Sequence, residues 1–248
     1  MRAVSTAALV AAWEGGMAEP AVNRSVALLR PLGLVETGRD LAAMTVGTCD
    51  LLLLELRSWL FGTDLDLVAT CPACGEAVEL VIRCADLVPA GPSGQDVPAD
   101  WPPQVTVEEH GLRIRCRVPT NGDLCQLAGL GRPATVTDLL ERCVETMEGP
   151  NAPPAAAGLP VAVAGRVADV LAANDPGADI MAEIECPCSA VWAESIDIRA
   201  ILWTELTSWV QRRLIEVHQL ASAYGWAERD ILEMSPHRRR FYLEACAG

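Results

Sequence analysis

Four of the ten cysteines in this 248-residue sequence stand in close pairs, at Cys71-Pro72-Ala73-Cys74 and Cys186-Pro187-Cys188. Thiolates are the soft ligands that zinc prefers, and a Cys-x-x-Cys turn sets two sulfurs about one metal apart while backbone N–H groups curl toward them. Pro72 stiffens the first turn, and Gly75 admits the unusual backbone angle that follows its second ligand. One pair supplies half of a tetrahedral site. The spacing therefore predicts that Cys71, Cys74, Cys186 and Cys188 share one structural zinc with a closed sphere. The second pair is a residue shorter than the usual knuckle, and Ser189 stands where a glycine would be comfortable. Two other readings remain open. The four could be buried apolar thiols, the reading given to Cys49, Cys84, Cys116, Cys125, Cys143 and Cys246. Alternatively, Cys71 and Cys74 could be a redox pair, which would need the motif to open a helix whose dipole lowers a thiol pKa.

Other chemistry is sparsely represented. His110, His218 and His237 form no metalloprotease motif, and the sequence carries no P-loop, dinucleotide fingerprint or nucleophile elbow. A non-enzyme without a small-molecule substrate is the expectation. The run His237-Arg238-Arg239-Arg240 could touch phosphate, but in so acidic a chain the expected use is intramolecular pairing or an acidic protein surface.

The cysteine pairs sit at the tips of a repeated unit. Leu65, Leu67 and Ala69 alternate with polar neighbours into the first pair, and Val78, Leu80 and Ile82 alternate on the way out. Ile180, Ala182 and Ile184, then Val191, Ala193, Ile196 and Ile198, repeat the layout around the second. Between them lie a Pro/Gly loop at residues 89–103 and a further hairpin turning at residues 109–111. A helical stretch follows over residues 120–147, capped in part by Thr135 or Thr137, and then a flexible connector at residues 149–158.

Helices are expected at both ends. Ser5 or Thr6 caps a first helix that Gly15 and Gly16 stop, Pro20 opens a second, and Thr45 caps a third that Gly62 ends. From about Arg199, Leu202, Leu206, Trp209, Val217, Leu220 and Tyr224 recur at three- and four-residue steps up to Gly225. A short helix and a last one opened by Ser235 and Pro236 complete the chain.

With 19 basic against 33 acidic residues the net charge is −14, which repels nucleic-acid backbones and anionic membranes. No window reaches the roughly 18 uncharged apolar residues of a membrane span, and the N-terminal apolar run is cut by Trp13 and Glu14, unlike a signal peptide. A soluble cytoplasmic protein with reduced thiols is the expectation.

Two C-terminal segments, LASAYGWAERDIL and SPHRRRFYL, follow from no general rule of helix chemistry. With GMAEPAVNRSVALL, DLLLLELRSWLFG, CPACGEAVEL and the later ECPC knuckle, they resemble the baseplate hub assembly chaperone family of T-even-type contractile phage tails and related injection systems. The likeness covers most of the chain. It implies a protein that helps build or complete a baseplate, with baseplate or hub proteins as partners, whether it stays in the particle or leaves. It also implies Cys71, Cys74, Cys186 and Cys188 as ligands, with Trp203, Trp209, Tyr224, Trp226 and Tyr242 on a helical surface or in a helical core. These aromatics are the candidate partner-binding residues, since such side chains supply large buried contacts; the alternative is that they pack the core. The shortened second knuckle and the proline-rich stretches depart from the family pattern.

Together these readings give an α+β fold with helical lobes around a small zinc-ribbon-like antiparallel β module. The expected division is a helical lobe over 1–63, the first knuckle hairpin and following hairpin over 64–118, and a helical insertion with a Pro/Ala-rich linker over 119–178. The second knuckle hairpin at 179–198 and C-terminal helices at 199–248 complete it. The rival functions are a zinc-ribbon regulator that binds nucleic acid and a thiol oxidoreductase.

Overall fold

The computed structural model describes residues 4–88 and 102–247. Helices α1 (Thr6–Met17) and α2 (Arg24–Ala27) precede α3 (Val46–Phe61) and a hairpin of β1 (Asp64–Thr70) and β2 (Ala77–Arg83). Then come β3 (Gln104–Glu109), β4 (Leu112–Arg117), α4 (Asn121–Ala128), α5 (Val136–Cys143), β5 (Val144–Glu148) and α6 (Val161–Asn174). A second hairpin, β6 (Met181–Glu185) and β7 (Val191–Ser195), leads to α7 (Ile198–Tyr224), α8 (Glu228–Glu233) and α9 (Pro236–Ala247). The fold class is α+β, as the sequence predicts.

The chain forms two compact units, one of Met1–Thr37 with Arg199–Gly248 and one of Gly38–Ile198. This grouping differs from the sequence division, which placed α3 with the N-terminal helices. In the first unit, α1 starts at Ser5, whose side chain accepts the Ala8 N–H. Gly15 and Gly16 do not stop it; the helix runs on to Met17. Gly16 serves close approach instead, since a Cβ there would come within 2.7 Å of the Trp203 ring. Pro20 precedes only one 3-10 turn and the four-residue α2. The Ser25 hydroxyl donates to the Arg199 carbonyl at 2.6 Å and Trp13 Nε1 donates to Thr207 Oγ1 at 3.0 Å, so α7 is fixed by polar bonds as well as by its buried Leu202, Leu206 and Val210. Farther along, Val217 and Leu220 of α7 pack with Ile231 and Leu232 of α8.

In the second unit, the hairpin around residues 109–111 turns through two left-handed residues, His110 (φ 50°) and Gly111 (φ 76°), as a two-residue loop requires. The expected helix over 120–147 is broken. Thr120 and Thr135 cap the short α4 and α5 through reciprocal bonds with Asp123 and Asp138, and from Val144 the chain becomes β5. This strand pairs with β4, placing Ile114 opposite Met147 and Cys116 opposite Val144. Without it β4 would present an open row of backbone donors and acceptors, a tertiary demand that overrides the helical spacing of Leu139, Leu140 and Val144. The connector at 149–158 is likewise partly packed. Ala156 and Leu159 lie in the core that joins the three-stranded sheet β3-β4-β5 to α5 and α6, where Val163, Val167 and Leu171 line the buried face of α6. Of the Pro/Gly loop at 89–103, residues 89–101 lie outside the described residues.

Helix α3 roots both knuckle hairpins. Thr45 caps it by accepting the Thr48 N–H, and Gly62 ends it with φ 100°, both as predicted. At its C-terminal end the buried Arg57 donates from Nη1 to the carbonyls of Gly62 (2.9 Å) and Asp64, which fixes the start of β1. At its N-terminal end the buried Asp175 carboxylate accepts the Gly47 N–H at 2.9 Å and the Thr45 hydroxyl at 3.1 Å. An anionic acceptor suits a helix N-terminus. The turn Pro176–Ala178 that follows Asp175 sits against α3 and leads into β6. Gly47 and Gly177 allow this approach: a Cβ on Gly47 would come within 2.7 Å of the Ala178 nitrogen, and one on Gly177 within 2.8 Å of the Gly47 carbonyl.

Candidate metal centre

Each knuckle is a two-stranded ribbon with its cysteines at the tip. β1 and β2 pair from Asp64↔Arg83 to Thr70↔Ala77, and β6 and β7 from Met181↔Ser195 to Glu185↔Val191. Little apolar surface is buried along the outer parts of these ribbons: Val68, Val81 and Val191 are each more than half exposed. A lone two-stranded hairpin is marginally stable in water, so something other than strand pairing must order the tips.

The two turns have a common plan. In the first, the Cys71 N–H donates to the Glu76 carbonyl at 2.9 Å and the Gly75 N–H to the Cys71 carbonyl at 2.9 Å. In the second, the Cys186 N–H donates to the Ala190 carbonyl at 2.9 Å and the Ser189 N–H to the Cys186 carbonyl at 2.8 Å. The residue after the second cysteine is left-handed in both, Gly75 at φ 76° and Ser189 at φ 69°. The shortened knuckle thus keeps the geometry of the longer one at the cost of a strained serine.

The turns bring the four predicted sulfurs together. Cys71 Sγ lies 3.7 Å from Cys188 Sγ and Cys74 Sγ lies 3.7 Å from Cys186 Sγ, and all four sulfurs lie within 4.8 Å of one another. These contacts are far too long for disulfides, and none of the described cysteines is in one. They match the edge of a tetrahedron, about 3.8 Å when each metal–sulfur bond is about 2.3 Å. Cys71 and Cys186 are buried and Cys74 and Cys188 exposed, so the cluster has an inner and an outer pair.

The electrostatics suit a cation. Amide N–H groups of Cys74 and then Ala73 point at the Cys71 sulfur and hold its pKa down to about 6. Cys186 is pushed up to about 12: the Cys188 N–H opposes the rise, but burial and the sulfurs of Cys188, Cys71 and Cys74 override it. Cys74 is raised as well, the Glu76 N–H being outweighed by the Cys71 sulfur and burial. One thiolate is comfortable here and further ones repel it, so full ionisation needs a positive ion at the centre. A redox role fits less well. Cys71 is 1% exposed and its motif joins two strands, without the helix N-terminus that the redox reading required.

The other cysteines divide. Cys49, Cys84, Cys116 and Cys143 are buried as expected, and burial pushes Cys116 up to about 11 and Cys143 up to about 12. Cys125 is only half-buried and Cys246, near the end of α9, is exposed, which corrects the reading of both as core thiols.

The five candidate aromatics fall into different settings. Trp203 is half-buried against Gly16 with the Arg24 guanidinium 5.8 Å from its ring, and Trp209 is half-buried with Arg213 5.6 Å from its ring. Tyr224 stacks on Trp226 at 4.5 Å, and Tyr242 meets the Trp226 ring edge-on at 4.8 Å. Phe241, which the sequence reading passed over, joins Tyr242 at 5.5 Å and is 66% exposed. Its flag was an aromatic beside three arginines on a helix with no clear apolar face. No helix among the described residues is long and apolar enough to cross a membrane.

Comparison with protein-family models, with curated proteins and with solved structures gave no match to the chain.

Proposed function

We propose that the chain is a non-enzymatic assembly factor or structural component of the baseplate of a contractile, phage-tail-like injection system, held in shape by a structural zinc. The reading rests on the resemblance of its C-terminal segments to the baseplate hub assembly chaperone family. The observation that carries it is that the two most specific segments meet: Tyr224 and Trp226 of LASAYGWAERDIL pack with Tyr242 of SPHRRRFYL, and Tyr224 and Phe241 remain exposed beside them. Clustered, partly exposed aromatics are the anchors that protein interfaces favour. Four thiolates at tetrahedral spacing would complete the coordination of zinc and leave no position for a reacting water, which supports a structural metal.

Metal analysis and native mass spectrometry of the purified chain test the zinc; one zinc per chain is the expected result, and a coloured, iron-loaded protein would overturn it. Removing the gene from cells that make such particles tests the role. The expected outcome is tubes and sheaths without complete baseplates, with restoration by the native gene and not by a Trp226→Ala, Phe241→Ala variant. Normal particle assembly in the deletion strain would refute it.

A further inference from the structure

Helices α7 and α9 of the first unit enclose a pocket of about 360 Å³ lined by Arg213 and Glu216 from α7 and by His237, Arg239, Arg240 and Leu243 from α9. Its charge is unbalanced. Three guanidiniums line it against the single Glu216 carboxylate, which Arg213 Nη2 meets at 2.8 Å and Arg239 Nε at 2.9 Å. Arg239 is 3% exposed, yet its Nη1 has no hydrogen-bond partner among the described residues, and the buried Arg213 Nε and Glu216 Oε2 have none either, although Oε2 forms the ion pair with Arg239 Nε. Burial and the neighbouring charges of Arg239 and Arg212 lower the pKa of Arg213, despite Glu216. A buried guanidinium with an open N–H is costly unless something accepts from it, and water is a poor match for the surplus charge.

We infer that this pocket binds a tetrahedral oxyanion, a phosphate group. The Arg213 and Arg239 guanidiniums, whose unpartnered N–H groups are covered in this structure, would turn to donate to it from two different helices, and the exposed Arg240 would close the outer side. Three cations against one carboxylate leave two positive charges, which a phosphate dianion balances and a single carboxylate does not. The pocket reaches the first turn of α9, where the helix dipole adds to the attraction. The arginine run that looked incidental in an acidic chain thus has an anionic ligand of its own. The site is separate from the sulfur cluster and independent of the baseplate role.

Titrating the full-length protein with inorganic phosphate, at ionic strength held constant with chloride, tests the inference by calorimetry and melting temperature. The expected result is saturable one-to-one binding with a rise in melting temperature, weakened about tenfold or more by Arg240→Gln and by Arg239→Lys. Arg240 is exposed, so its variant keeps the fold and the test stands even where Arg239→Lys is unstable. Absence of saturable binding up to about 50 mM phosphate, or binding unchanged in Arg240→Gln, overturns the site. Acetate binding as tightly as phosphate overturns the ligand class.

Discussion

Ser189 holds the same left-handed backbone conformation in the second cysteine turn that Gly75 holds in the first, with φ of 69° and 76°. A non-glycine residue there loses about 1 kcal/mol or more to the clash of its Cβ with the backbone. Ser189→Gly is therefore expected to stabilise the second knuckle by about 1 kcal/mol and to slow metal loss to a chelator. Competition with a chromogenic chelator reads the effect, and an unchanged or faster loss would count against it.

Metal removal should act locally. The core of β3-β4-β5, α5 and α6 is built from apolar contacts, whereas the two ribbons depend on their tips. Chelation is expected to release hydrogen-exchange protection at residues 64–83 and 181–195 while the core of α6 keeps its protection. Cys71→Ser should reproduce this and lower zinc affinity more than about a hundredfold. Affinity should also fall as pH falls, because every sulfur must give up its proton to bind.

Gly47→Ala places a methyl group against the Asp175 carboxylate and the Ala178 nitrogen. A destabilisation of about 1–3 kcal/mol is expected by chemical denaturation. The loss should be smaller in the background of Asp175→Ala, since the two residues touch and their effects do not add. Full additivity would show that the contact is not felt.

Asp123 gives the second unit an acid-side dependence. Burial works against its charge, but the Arg117 guanidinium, at 2.6 Å and 2.9 Å, and the Thr120 N–H and hydroxyl hold its pKa below the ordinary carboxylate value. A depressed carboxylate contributes stability that is fully present above the unfolded value of about 3.9 and lost as pH falls through the folded one. Thermal melts should therefore be level with respect to this group above about pH 5 and drop below pH 4, with the drop reduced in Asp123→Asn. That variant should also be less stable at neutral pH, since Arg117 would lose its partner.

The sulfur cluster was legible because its signal is local and repeated. Alternating strands around each cysteine pair predicted both hairpins, and their likeness predicted the pairing. The three-stranded sheet was only two-thirds legible: Val144 continues a helical spacing, and only the unpaired edge of β4, which is not a property of residues 144–148, turns them into a strand. Gly16 reads as a helix stop and Gly47 carries no local signal, yet each marks where Trp203 or Asp175 comes close, and such contacts between distant segments leave no trace in local periodicity. Arg57 and Asp175, which root the two ribbons, were invisible for the same reason. Phe241 and the pocket beside it needed the meeting of α7 and α9.

The sulfur contacts join residues 112 and 117 positions apart in sequence. During synthesis the first pair emerges long before the second, and the segments from β3 to α6 emerge between them. A growing chain can offer no more than two of the four sulfurs until Cys186 and Cys188 leave the ribosome, so tight capture of a metal at this site would come only after the segments between the knuckles have been made. An ion bound there would act as a late clasp, fastening a ribbon made early to one made much later.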